Sequence, residues 1–570
     1  MRGIEFSNGG GIVQQPMSVL NKVLRTTLLV MGISITFGVQ MQRLSGLFSG
    51  LSGDDVGYNY TYLDANSFHA LRHNADWLMR PVLDFTLRKW LWFSLLTPSE
   101  LSLALVSWIY AGASLILLLA IPWTSFIELQ VLGVALLGFC NIERLYSTQA
   151  QGYSFVSFSS WILIYSFLGA CCWIDEKGRR RASIALFVFA LGLCLNAHFF
   201  AWPLAAVLAC SFYIYIREHP TLNKAERKLA LARLSIGISL VFLVTVLINL
   251  PELKHLFAFS PLKTSACRFQ WKGSLFWITQ SWRWIEVPQF IFLFMIGLGL
   301  LHPTRSKRYL SWALAIAILA VKYILVLGMM AKSSYPISDR YLLSFLAPSI
   351  AVYLLGAESL LLWLKKGVKS RIAVNVLALT ILFVNLWRLP IARLGQEAIQ
   401  GVNDFQRTPA NYSSRYQFFD KVKSYKKPAL VLTNDCWLSS IPDLYLRYLG
   451  PSSGSIPNVT FNTMDSCETS PDDRSAGIST FMIRYGNDGV FVAFDENVYT
   501  DKSPCATDAN YLYRHPVDAC EAIYSVRSLK TQLLSRYILK NTNYSFPRES
   551  NDHGDLAAVI KAVKKSFLHI

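Results

Sequence analysis

Charge is what this sequence lacks most. Charged residues make up 16 % of the 570, against 53 % apolar types, and mean hydropathy is +0.34. Soluble domains carry about 25 % charge, so a water-soluble globule is excluded, as are disordered and collagenous chains. There is no CxxC pair, nucleotide-binding glycine loop, nucleophile elbow, internal repeat or low-complexity tract. Zinc-ribbon, P-loop, α/β-hydrolase and solenoid readings therefore fall away.

What charge there is sits unevenly. The net charge is +18, which brings a nucleic-acid binder to mind. From Arg393 to Ile570, however, 20 basic residues meet 19 acidic ones, so the excess belongs to the apolar first 392 residues. Basic residues between long apolar runs mark the cytoplasmic loops of a membrane protein, because they are retained there. No nucleic-acid partner is expected.

A span needs ~20 mostly apolar residues. Eleven runs qualify, near 23–42, 100–121, 126–141, 154–173, 182–197, 199–216, 231–250, 286–301, 309–330, 341–364 and 371–392. Asn196-Ala197-His198 alone separates the fifth from the sixth. With the N-terminus inside, five basic clusters fall on one side: Arg2 to Arg25, Lys177 to Arg181, Arg217 to Arg233, Arg305 to Arg308, and Lys365 to Arg371. The expected fold is a polytopic α-helical membrane protein of about eleven transmembrane helices. Residues 1–392 form the membrane domain, including a first extracytoplasmic loop 43–98, and residues 393–570 form an exported α/β domain.

Strands are expected at Ala429 to Leu432 and Val490 to Phe494, and helices at Ile441 to Leu449 and Leu556 to Phe567. Cys436, Cys467, Cys505 and Cys520 all fall in the exported region, where an even count points to two disulfides with the pairing open. The sequons at Asn59, Asn411, Asn458 and Asn543 fall outside too. Within the first loop, Phe68 to Leu96 alternates apolar and basic residues and reads as an amphipathic helix in the headgroup plane. The loop 251–285 mixes tryptophans with basic residues, as an interfacial belt or a ligand-facing surface would.

Several residues could carry chemistry. Asp54 and Asp55 follow the first span and are either a solvated turn or a base that takes a proton from a hydroxyl. Arg340 opens the tenth span, where an arginine snorkels or holds a phosphate in its fork of donors. His198, Arg144 and Lys332 share that outer level as anchors or ligands. Lys322 lies mid-span and needs a partner or a cavity, with Glu358 as one partner.

These pieces together resemble a family. Asp54-Asp55 after the first span, Arg80-Pro81-Val82-Leu83-Asp84-Phe85 through Trp92, Ser99-Glu100-Leu101 through Ser107, Tyr146-Ser147-Thr148-Gln149-Ala150-Gln151-Gly152-Tyr153, His198-Phe199-Phe200-Ala201, and Asp339-Arg340-Tyr341-Leu342-Leu343 follow one another as motifs do in the GT-C superfamily. The likeness is to the polyprenyl-phosphate-sugar-dependent glycosyltransferases of its protein O-mannosyltransferase and aminoarabinose-transferase-like branch. It covers roughly residues 20–365. Arg80-Pro81 stands where the family has His-Pro, and Gln149 and Gln151 stand where it has Glu and Arg.

The resemblance implies transfer of a sugar from a polyprenyl-phosphate donor to an acceptor hydroxyl on the extracytoplasmic face. Asp54 and Asp55 would be catalytic. Arg340, Tyr341, His198 and Lys332 would hold donor phosphate and lipid. Arg80, Arg144, Gln149 and Tyr153 would line the acceptor pocket. A divalent cation on Asp54-Asp55 is the one optional cofactor. The acceptor would be a glycan, a lipid or a protein, and membrane lipids would be further partners. The expected location is a bacterial inner membrane with the N-terminus cytoplasmic and the C-terminal domain periplasmic. Two alternatives stay open: a transporter or flippase of lipid-linked saccharide, and a catalytically inactive GT-C-like scaffold.

Overall fold

The computed structural model describes residues 19–48, 53–75, 80–121, 123–258, 287–321, 343–367 and 371–406. From the tail it describes 429–433, 444, 448–449, 459–461, 490–494 and 537–538. Within these limits the chain is a multi-pass helical bundle. Six helices are long and apolar enough to cross a bilayer: Lys22–Leu47, Glu100–Ala120, Tyr153–Trp173, Phe199–Arg217, Lys224–Ile248 and Leu343–Lys366. A bent pair, Ala373–Arg388 with Ile391–Asp404, makes a seventh if read as one span. The expected count of eleven is thus met only in part. The helices at the third and eighth runs, Ile127–Gly138 and Gln289–Leu300, have 12 residues each. At 1.5 Å per residue that is ~18 Å, short of the ~30 Å hydrocarbon core.

In chain order the main helices are α1 (Val19–Arg43), α2 (Gly53–Leu63), α3 (Phe68–Ala75), α4 (Glu100–Ala120), α5 (Ile127–Gly138), α6 (Asn141–Tyr146) and α7 (Tyr153–Trp173). They continue as α8 (Lys177–Leu195), α9 (Trp202–Arg217), α10 (Lys224–Ile248), α11 (Gln289–Leu300), α12 (Arg305–Ile316), α13 (Leu346–Gly367), α14 (Arg371–Arg388) and α15 (Ile391–Gln406). Helix α7 lies at the centre: Trp161 and Phe167 are fully buried, and Phe167 meets Phe212 of α9 at 5.8 Å between ring centroids. The periphery is apolar outward, with Phe37, Ile236, Phe290 and Trp387 all more than 60 % exposed. A shell of that kind suits lipid. Glycines permit the closest approaches. A Cβ on Gly356 of α13 would run into the carbonyl of Met295 on α11, the small-residue contact by which membrane helices pack.

Polar side chains gather at the two ends of the bundle. At one end Arg180 faces Glu226, Arg305 reaches Glu218 and Lys307 binds Glu358, which joins loops that all carry basic clusters. At the other end lie the 53–95 segment, the α6–α7 turn and the α8–α9 turn. This sorting is what alternating spans require, and it comes from contacts rather than from counting charges. The two ends are called here the basic end and the loop end.

Four short strands lie in the tail: β1 (Ala429–Thr433), β2 (Val459–Phe461), β3 (Val490–Phe494) and β4 (Tyr537–Ile538), in the order β2-β1-β3-β4. β1 runs parallel to β2 and β3, and β4 is antiparallel to β3. The strands expected at 429–432 and 490–494 are β1 and β3. The helix expected at 556–567, most of that at 441–449, and all four exported cysteines lie outside the described residues. Tyr448 donates its hydroxyl to Asp64 Oδ1 at 2.5 Å, so this part of the tail meets the loop end.

Candidate active site at the loop end

The first loop is not the single interfacial helix that its alternation suggests. Helix α3 stops at Ala75. After Pro81 a short helix, Leu83–Leu87, runs into a π turn, Arg88–Trp92. The reason is an internal ion pair. Asp84 and Arg88 are one turn apart, and Arg88 Nε lies 2.8 Å from Asp84 Oδ2 with both side chains buried. A buried charge persists only when paired and hydrogen-bonded. Arg88 meets that condition by donating also to Leu103 O at 3.0 Å, Ser107 Oγ at 3.0 Å and Gln151 O at 3.1 Å. It therefore ties the loop to α4 and to the turn before α7 instead of lying among lipid headgroups.

Tyr58 of α2 donates its hydroxyl to the same Asp84 oxygen. Gly152 sits beneath the pair. A Cβ at that position would stand 2.7 Å from Asp84 Oδ2, closer than side-chain carbons come, so only glycine fits. Arg80 lies over two tyrosine rings, 5.1 Å from the centroid of Tyr58 and 4.7 Å from that of Tyr153, and donates to the Tyr153 hydroxyl. The Tyr153 ring meets His198 at 5.9 Å. His198 begins the turn into α9: its Nδ1 accepts from Phe200 N at 3.1 Å, and Pro203 follows at the helix start, where its missing N–H costs nothing. A second polar layer joins from α10. Asn249 accepts from Val82 N at 2.9 Å and donates to Asn196 Oδ1 at 3.0 Å.

The structure thus brings together three of the expected site residues, Arg80, Tyr153 and His198, with Tyr58 beneath them. Gln149 and Gln151 are both buried, and neither side-chain amide has a hydrogen-bond partner among the described residues. Buried amides left without partners are rare in a settled core. Arg144 is half-buried on α6, and its side chain makes no hydrogen bond or ion pair with a described residue.

Asp54 and Asp55 stand in the first turn of α2, one turn before Tyr58. Their side chains lie outside the described residues, as do Lys332, Arg340, Tyr341 and Lys322. The expected pairing of Lys322 with Glu358 falls on a lysine outside the described residues. Glu358 receives Lys307 at 2.6 and 2.8 Å and Ser125 N at 2.7 Å, with His302 at 3.5 Å, all at the basic end. Lys307 is the lysine that the described residues place on Glu358. Among the described residues no group of three His, Cys, Asp or Glu side chains could hold a metal.

Sequence reasoning missed Tyr58, Asp84, Arg88 and Asn249 as site residues. The Asp84–Arg88 pair had a readable signal, opposite charges four apart beside a proline. Asn249 had none, because its partners are remote in sequence. Glu143 on α6, outside the spans, was missed too: burial pushes its carboxyl up to about 7, with Arg43 opposing.

No family model matches the chain, and no curated protein does. Among solved structures, the chain is similar to ArnT from Cupriavidus metallidurans in the apo state, at 12 % identity and TM-score 0.48, covering 88 % of this chain and 95 % of that one. The same protein bound to undecaprenyl phosphate gives 11 % identity and TM-score 0.44 over the same shares. The Archaeoglobus fulgidus oligosaccharyltransferase in the apo form gives 12 % identity and TM-score 0.42, covering 76 % of this chain and 65 % of that one.

Proposed function

We propose that this chain is an integral-membrane glycosyltransferase that moves a sugar from a polyprenyl phosphate to an acceptor hydroxyl at the loop end, which faces away from the cytoplasm. One observation carries the reading. Three stretches of the resemblance that are far apart in sequence, at Arg80, Tyr153 and His198, meet within ~6 Å at one end of the bundle, beside the helix that opens with Asp54-Asp55. A transporter would instead gather polar groups at mid-bilayer.

The chemistry follows from the donor. A water-soluble nucleotide sugar stays in the cytoplasm, whereas a lipid-linked sugar can be presented at the far membrane surface. Asp54 or Asp55 takes the proton of the acceptor hydroxyl, whose oxygen attacks the anomeric carbon with inversion. The bond from that carbon to the phosphate oxygen breaks, and polyprenyl phosphate leaves with added negative charge. Arg340 neutralises that charge where it develops, with Tyr341, His198 and Lys332 supporting the phosphate and lipid. Arg80 and Tyr153 shape the acceptor side, with Gln149 and Arg144 farther out. With Gln149 and Gln151 in place of Glu and Arg, that side carries less charge than the family pattern.

The test is incubation of purified full-length protein with a panel of polyprenyl-phosphate sugars, scored for donor consumed. Asp54→Asn or Asp55→Asn should cut turnover by ~10²–10⁴, the usual range for a general base. Full turnover in both variants removes the base assignment. Arg340→Ala should lower turnover by ~10²–10³, and an unchanged rate would remove the phosphate role. Vesicles that move a lipid-linked saccharide without consuming it would favour transport instead.

A further inference from the structure

A second site lies far from this chemistry. Helices α9 and α12 are tied by Ser211 Oγ donating to Tyr309 O at 3.0 Å, and beside that contact they line a groove of about 820 Å³. That volume is within the ~300–1,000 Å³ of small-molecule clefts. Its walls change character along their length. Toward the middle of the bundle they are Ala206, Val207 and Ile316, while Arg305, Arg308 and Glu218 stand at the mouth, at the basic end, with Ile214 one turn inside it.

Arg305 to Ile316 is twelve residues of helix, a rise of ~16 Å from first to last, which is about half the hydrocarbon core and so one leaflet deep. Trp312 lies between mouth and depth and is half exposed, as suits a tryptophan at an interface.

The mouth is built for an anion. Arg305 is held rigidly: it donates to Glu218 O at 2.6 Å and packs on the rings of Tyr215 and Tyr309 at 5.7 and 5.6 Å. The Glu218 carboxylate accepts from the Tyr309 hydroxyl. The Arg308 side chain makes no hydrogen bond or ion pair with any described residue. The mouth therefore has a net positive charge, with one guanidinium fixed and another uncommitted. Two apolar walls one leaflet deep, with a cationic rim at headgroup level, match an amphiphile with a negative head.

We propose that this groove binds one anionic glycerophospholipid, its acyl chain between α9 and α12 and its phosphate at Arg305 and Arg308. The basis is charge complementarity and depth, and the proposal is independent of the loop-end chemistry. A basic residue near an anionic lipid surface contributes about 1 kcal/mol, a factor of ~5.

The test is native mass spectrometry of the full chain in neutral detergent with equal phosphatidylglycerol and phosphatidylcholine. The wild type should retain one phosphatidylglycerol at least ~5-fold in preference to phosphatidylcholine. Arg308→Gln, at an exposed position that leaves the fold intact, should lower that preference ~5-fold. Brominated phosphatidylglycerol should quench more fluorescence in the wild type than in Trp312→Phe. Equal retention of the two lipids, an Arg308→Gln variant that keeps its full preference, or equal quenching would each overturn the proposal. So would retention of polyprenyl phosphate over phosphatidylglycerol at this groove.

Discussion

The two ends of the bundle handle buried charge differently. At the basic end, the Glu358 carboxylate receives Lys307 on both oxygens, the Ser125 amide on one and His302 near the other. At the loop end Arg88 is well satisfied, but Asp84 Oδ1 and the Gln149 and Gln151 amides have no described hydrogen-bond partner, and Arg80 rests on tyrosine rings. The Lys307–Glu358 pair holds helices together, with His302 Nε2 beside it making no hydrogen bond. A network with buried polar atoms left over has room for a further partner, and such departures from local consistency gather at functional sites. The comparison teaches that Asp84–Arg88 is scaffold, and that the Gln149 and Gln151 amides, unpartnered among the described residues, are on the proposed function the part left to meet a substrate.

The largest effect should come from opening the closed end. Lys307→Met leaves Glu358 buried without its cation, which costs about 3–5 kcal/mol. Lys307→Met combined with Glu358→Leu should restore most of that loss, because the charge goes with its partner. Thermal unfolding in detergent reads both. A single variant as stable as wild type would mean that the end is not closed, and the contrast with the loop end would disappear.

Arg80→Ala sharpens the contrast from the other side. Loss of its stacking on two tyrosines costs about 1 kcal/mol of stability. If Arg80 positions the acceptor, transfer should fall ~10²-fold, the scale of a small misplacement at a reacting centre. Rates and unfolding midpoints measured on the same preparation separate the two. A large drop in stability with activity per folded molecule unchanged would make Arg80 scaffold like Arg88.

Much of the bundle was legible in the sequence because the bilayer imposes length and apolarity on each span. The break at Asn196 to His198 is the turn between α8 and α9, and strands β1 and β3 lie where short apolar runs predicted them. The loop end was harder. Period and composition make Phe68 to Leu96 an interfacial helix, since sequence alone does not reveal that Arg88 has a carboxylate, a serine and two carbonyls waiting in a buried place. Lys307 went unread as a partner of Glu358 for a related reason: it looks like one more basic loop residue until the fold turns it inward. The bend after Arg388, 57° between α14 and α15, also has no mark in apolarity, because α15 packs on α1 through Gln42 donating to Glu397.

The smallest effect tests whether the unsettled character of the loop end extends to α6. Glu143 is buried, 1 % exposed, and its carboxyl titrates near 7 instead of its ordinary 4.5, because burial disfavours the charged form more than Arg43 favours it. The folded protein therefore holds this proton more tightly than the unfolded chain. The resulting stability is fully present below about 4.5 and is lost as pH rises through 7. Glu143→Gln keeps the shape and removes the titration. The variant and the wild type should unfold at similar temperatures at pH 5, and by pH 8 the variant should be ahead by ~2–4 °C. A gap that stays constant from pH 5 to 8 would mean that Glu143 is already ionised in the fold, held by Arg43 as Glu358 is held by Lys307. The α6 corner would then belong with the closed end of the molecule and not with the open one.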